Sequence, residues 1–177
     1  FRLGKHRVSA PAMDDRVACA LLVSLLKELP PVKDTVVAVF STQEEVGLRG
    51  AKTAAYGVDP DVGIALDVTA NGDTPEEKLP AVKLGDGICV KIMDQCSISN
   101  PELVRELLAA GEKAGVPTQR EVLPFGGTDA GAMQLTRGGV RVCTLSIPCR
   151  NVHSACEVID LRDVEAGKRL LLEYLRG

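Results

Sequence analysis

Between Asp14 and Leu29, apolar residues recur at Val17, Leu21, Leu22, Leu25, Leu26 and Leu29. This is the spacing of one helix face, and Pro30-Pro31 ends the helix because proline has no amide hydrogen to extend the ladder. The pattern then changes period. Thr35 to Ser41 is a short, continuous, β-branched run that predicts a strand buried on both faces, followed by the polar cluster Thr42-Gln43-Glu44-Glu45. Gly47 to Tyr56 reads as a helix closed by Gly57, and Val62 to Leu66 as a second buried strand ending in Asp67. From Val68 to Pro80 the Asn, Gly, Asp, Thr and Pro content predicts loop. Ile88–Met93 and Thr118–Leu123 read as strands, and Arg141–Ile147 as a third buried strand. Helices are predicted from Asn100 or Pro101 to Ala114, over Thr128–Leu135, and beyond a cap at Asp160, where Val164, Leu170, Leu171, Leu172 and Leu175 are apolar. Strands alternating with helices predict an α/β fold, a three-layer α/β/α sandwich around a mixed but mostly parallel sheet.

Composition narrows the field of functions. The 177 residues are 45% hydrophobic and 25% charged, enough for one domain with its own core. Lys plus Arg number 21 against 24 Asp plus Glu, with no basic block, which argues against nucleic acid as a partner. No apolar stretch approaches the roughly 18 residues that cross a bilayer, and no signal pattern opens the chain. A cytoplasmic protein with no membrane partner is expected. The six cysteines never fall as Cys-x-x-Cys, so buried free thiols are expected rather than disulfides or a zinc knuckle.

In open α/β sheets ligands bind beyond the carboxyl ends of the strands. Glu44-Glu45, Asp67 and the Arg150–His153 loop all follow predicted strands, and Asp14-Asp15 opens a helix. Together they form one candidate constellation of carboxylates with a single imidazole. Oxygen and imidazole donors suit zinc, cobalt or manganese, and a two-ion site needs a carboxylate between the ions. Each piece alone has an ordinary structural reading. Asp14 or Asp15 could be a helix cap, Glu44-Glu45 a solvated loop, Asp67 a turn former and His153 a surface histidine.

The motif series adds a resemblance. Ala12-Met13-Asp14-Asp15-Arg16, Gln43-Glu44-Glu45-Val46-Gly47-Leu48-Arg49-Gly50-Ala51, Ala65-Leu66-Asp67-Val68-Thr69, Gly126-Gly127-Thr128-Asp129-Ala130-Gly131-Ala132 and His153-Ser154 followed by Glu157-Val158 occur in this order. The series resembles the tetrahedral aminopeptidases, dinuclear-metal enzymes that include glutamyl aminopeptidases and proteins once labelled cellulase M. The likeness runs from about Val8 to the C-terminus. It implies a zinc-exopeptidase-like fold, incomplete at its N-terminus.

The same resemblance implies roles for individual residues. Asp14 matches the carboxylate that bridges two divalent ions, zinc or cobalt, and Asp15 its neighbour across an often-cis peptide bond. Glu44 matches the general base, Glu45 a ligand of one metal with His153, and Asp67 a ligand of the other. As neighbours on an extended segment, Glu44 and Glu45 would diverge and divide the labour of base and ligand. Thr128 and Asp129 border the substrate pocket in the family, although Asp129 capping the following helix is an equal alternative. A site of this kind has one histidine per metal, and His6 does not match the family's upstream His-x-Asp motif. One site therefore lacks a ligand within this chain. Residues 1–177 are expected to be the C-terminal part of a catalytic domain, with the N-terminal catalytic segment and an inserted PDZ-like domain used in oligomerisation outside it.

The expected activity is release of N-terminal residues from peptides by a homo-oligomer. Competing readings are a related dinuclear deacylase or carboxypeptidase, an endoglucanase, and a truncated fragment that binds metal weakly and acts only in assembly. The absence of Trp, with three Phe and two Tyr, leaves few platforms for sugar stacking and disfavours the endoglucanase.

Overall fold

A computed structural model describes residues 1–75 and 81–177, so the end of the loop expected over Val68–Pro80 lies outside the described residues. In chain order the elements are β1 (Arg2–Leu3), β2 (Arg7–Ala10), α1 (Met13–Glu28), a 3-10 turn (Glu44–Val46), α2 (Arg49–Val58), β3 (Val62–Ala70) and β4 (Ile88–Met93). There follow α3 (Pro101–Ala114), β5 (Thr118–Val122), α4 (Ala130–Met133), β6 (Arg141–Arg150), β7 (Glu157–Asp160) and α5 (Leu161–Arg176). The expected helix ends hold where a side chain makes them. Asn100 accepts from the amides of Glu102 and Leu103, and Asp160 accepts from the amide of Arg162.

The strands form one seven-stranded mixed sheet, with β6 at its centre. The α/β layering is as expected; the predominance of parallel pairing is not. Only β3–β6 and β4–β5 are parallel, whereas β1–β2, β2–β7, β4–β6 and β6–β7 are antiparallel. Short β1, β2 and β7 carry too few apolar residues to register as strands by periodicity, and they join the sheet by antiparallel pairing without crossover helices.

Alternation along β3 sorts the two faces of the sheet. Ile64, Leu66 and Val68 join Leu21, Leu25, Leu103, Leu107, Leu145, Ile147 and Leu170 in the main core beneath α1, α3 and α5. Ala65 points to the other face, where it clusters with Ala130 and Val142, and Met133 and Val140 pack against them. The first face is a thick apolar core; the second is thin and mostly polar.

Two sequence expectations fail here. Thr35–Ser41 has no ladder partner among the described residues, and Val37, Val39 and Phe40 are exposed. β3 also continues past Leu66 to Ala70, so Asp67 lies within a strand rather than after it. All six cysteines are free, as expected, but Cys19, Cys96 and Cys156 are exposed while Cys89, Cys143 and Cys149 are buried.

Candidate metal centre

Asp14 enters the centre from the start of α1. It and Asp15 have non-helical dihedrals and are joined by a cis peptide, so the helix proper begins after them. Asp15 accepts from the amide of Ala18 at 3.1 Å and is the N-cap, which leaves the Asp14 side chain free of that duty. Glu44 and Glu45 sit on the 3-10 turn, not on an extended segment, so their side chains diverge by about 120° through helical rotation instead of strand alternation. Gly47 closes the turn at φ +118°, a region costly for side-chain-bearing residues. Gly50 donates to the Thr42 carbonyl at 2.8 Å, and a β-carbon there would collide with the Thr42 backbone. These two glycines explain the spacing of the Glu44–Ala51 motif. His153 comes from the β6–β7 loop, itself in the left-handed region at φ +62°.

Three distant segments converge. His153 Nε2 lies 3.1 Å from Asp14 Oδ2 and 3.2 Å from Glu45 Oε2, and one donor atom from each residue lies within 4.8 Å of the others. Donors about 2.1 Å from a tetrahedral ion are roughly 3.4 Å apart, so this trio fits one divalent cation. Asp67 stands outside the trio, with Val68 N donating to its Oδ1 at 2.7 Å, yet Asp15, Asp14 and Glu44 are its charged neighbours. His6 does not join the trio: it lies in the β1–β2 turn, and its carbonyl accepts from Leu161 N beyond the far end of β7.

The family follows from comparison. Residues 1–170 match the model of the M42 glutamyl aminopeptidases. The chain belongs to that family. It is 38% identical over 179 residues to the lysyl aminopeptidase of Pyrococcus furiosus, covering 99% of this chain and 51% of that protein. An aminopeptidase structure from Desulfurococcus kamchatkensis superposes with a TM-score of 0.96 at 38% identity over 99% of this chain and 51% of that one. The Pyrococcus horikoshii TET1 peptidase, described as assembling into a tetrahedron or a large octahedral shell, superposes at 0.87 with 32% identity, 98% and 51% being covered. The chain spans about half the length of the curated relatives it matches.

In this M42 member, crowding of acids shapes the electrostatics. Burial, then repulsion from Glu45, lifts Asp14 to about 6. Burial, then the charges of Asp129, Glu45 and Asp14, lifts Glu44 to about 7. Asp15 rises to about 7, mainly by burial, against the opposing bond from Ala18 N. Asp67 is pushed well above the usual carboxylate range, again by burial and then by Asp15. Such mutual repulsion is what a bound cation relieves.

Two motif residues, Glu157 and Asp129, make contacts that the sequence does not reveal. Glu157, fully buried at the start of β7, accepts from Asp14 N at 3.1 Å and from His153 N at 2.9 Å, tying two of the trio together. Its spacing of four from His153 was visible; its role was not, because both partners are main-chain amides. Asp129 makes no capping bond to α4 and instead accepts from Ser41 Oγ, which corrects the cap alternative. Thr128 is buried against Thr144, their hydroxyls 2.8 Å apart.

Proposed function

We propose that this chain carries the hydrolytic centre of a metal-dependent aminopeptidase that releases N-terminal residues from peptides. The observation that supports it most is the convergence of Asp14, Glu45 and His153 from three segments, with Glu44 among their charged neighbours, on an M42 chain. Asp14, Glu45 and His153 would hold one ion, zinc or cobalt, and Asp14 with Asp67 would hold part of a second site that is one histidine short within this chain. A divalent ion bound there supplies Lewis-acid polarisation of the scissile carbonyl and acidifies water.

Glu44 is not one of the trio, so its carboxylate is available to accept the proton of the attacking water and return it to the leaving amine. Its raised proton affinity, from burial and neighbouring acids, suits a group that must both take up and release a proton near neutral pH. Asp15 holds the helix start, Asp129 would border the approach for substrate, and Thr128, buried against Thr144, would support that loop from behind. This reading takes the chain as the part of the catalytic domain that carries the base and four ligands, in a protein that self-associates and works in the cytoplasm.

The test pairs metal content with turnover. The wild-type chain is expected to take up zinc or cobalt at the Asp14–Glu45–His153 site and, once the missing histidine ligand is supplied, to hydrolyse aminoacyl anilides. Glu44→Gln is expected to retain the metal and lose about 100- to 10,000-fold in kcat. A fully active Glu44→Gln variant removes the base assignment. Failure of wild type to take up metal overturns the reading and leaves the assembly fragment in its place.

A further inference from the structure

Strand β4 carries Ile88 and Val90 into the main core, but Lys91 falls on the thin polar face and is fully buried there. A buried ammonium needs a partner, and the β4–β5 register supplies one by setting Lys91 opposite Glu121, also fully buried. Lys91 Nζ lies 2.9 Å from Glu121 Oε1 and 3.9 Å from Asp94 Oδ2. Thr69 Oγ1 donates to the same Glu121 oxygen at 2.5 Å.

From Asp94 the connection continues toward the centre. Asp94 Oδ1 accepts from Cys96 N, Ser97 N and Ser97 Oγ at 2.8, 2.7 and 3.0 Å, which fixes a turn at residues 94–97. That turn is seated against the Gly126–Gly131 segment. Asp94 Oδ2 receives Thr128 Oγ1 at 3.5 Å, and Gln95 N donates to the Gly126 carbonyl at 3.1 Å. Gly127 and Gly131 leave no room for a β-carbon against Cys96. The residue after Thr128 is Asp129, which receives Ser41 Oγ and is a charged neighbour of Glu44.

A buried ion pair is weak evidence for stability, since packed apolar residues of equal volume often do as well. What this pair contributes is direction. We propose that Lys91, with Glu121, is a positioning residue: through Asp94 it fixes the 94–97 turn and the Gly126–Asp129 loop, and so holds Asp129 against Ser41 and beside Glu44. The consequence for turnover rests on the aminopeptidase reading; the consequence for loop order does not.

Hydrogen exchange of the 177-residue chain, read by mass spectrometry, tests loop order directly. In Lys91→Met, amides in 94–97 and 126–131 are expected to exchange about ten-fold faster while those of α3, α5 and β6 keep their protection. Glu121→Gln removes the charge but keeps the shape; it is expected to give the same local pattern and decides the matter if Lys91→Met does not fold. Unchanged exchange, or acceleration spread over the whole chain, overturns the proposal. In the same variants kcat for an aminoacyl anilide should fall while the affinity for cobalt(II), followed by its visible absorption, stays at the wild-type value. A wild-type chain that neither binds cobalt nor hydrolyses the anilide overturns the aminopeptidase reading and leaves the exchange result standing on its own.

Discussion

Glu157 commits both carboxylate oxygens to main-chain amides of Asp14 and His153, and so sets the backbone from which two of the three candidate ligands project. Outer partners of this kind hold ligand orientation more than they hold the fold. Glu157→Ala leaves two amides without their acceptor, and cobalt affinity is expected to fall about 10- to 100-fold, measured by competition with a chromophoric chelator. An unchanged affinity in a folded variant would reduce Glu157 to a loop anchor. The ligand candidates themselves were legible in the sequence because acids and an imidazole at element ends stand out against apolar runs. The role of Glu157, present in the motif series, and the Ser41–Asp129 contact were not, since one acts on backbone and the other joins residues 88 apart.

Among the elements, amphipathic helices were legible because an apolar stripe carries its own evidence of where it packs. In α5, Leu170 is fully buried in the main core and its side chain also lies against Gly111 of α3. Leu170→Ala is expected to cost about 2 to 5 kcal/mol through lost burial and an unfilled cavity, read as a lower urea midpoint at unchanged slope. Leu135, 78% exposed, is the contrast: Leu135→Ser should stay within about 0.5 kcal/mol of wild type. Thr35–Ser41 departs from its β-branched pattern for a physical reason. A β-branched run reports what a strand prefers, whereas a strand also needs a neighbour to complete its ladder, and none pairs with it among the described residues. Helix α4, four residues long, is shorter than the Thr128–Leu135 pattern suggests because a Gly-rich segment offers no apolar stripe that fixes its length.

At the scale of the whole molecule, the fold sets a large apolar core that supplies stability beside a cluster of partly buried acids, Asp14, Asp15, Glu44 and Asp67, drawn from three segments. That clustering makes the metal-free chain pH-sensitive in a stated direction. Asp14 is lifted to about 6, Asp15 and Glu44 to about 7, and Asp67 well above the usual range, chiefly by burial. In the unfolded chain these groups titrate near 4. A group whose folded pKa is raised binds more protons in the native state, so its contribution is fully present below about pH 4 and is lost as pH rises through the folded value. Asp73 and Asp160 have the opposite sign. Arg150 and Arg162 bind their carboxylates and hold the pKa values down, so their contribution is present above about pH 4 and is lost below it. With chelator present, the melting temperature should therefore peak near pH 4 to 5 and decline toward about pH 7 to 8, as followed by circular dichroism. A divalent cation bound by Asp14, Glu45 and His153 replaces the protons as the neutralising charge. Zinc or cobalt added at pH 7.5 should raise the melting temperature in a concentration-dependent way, and do so far less at pH 4.5, where protons already occupy the acids. A chelated chain that grows more stable from pH 5 to 7.5 would mean that the four acids do not carry the electrostatic load their burial implies.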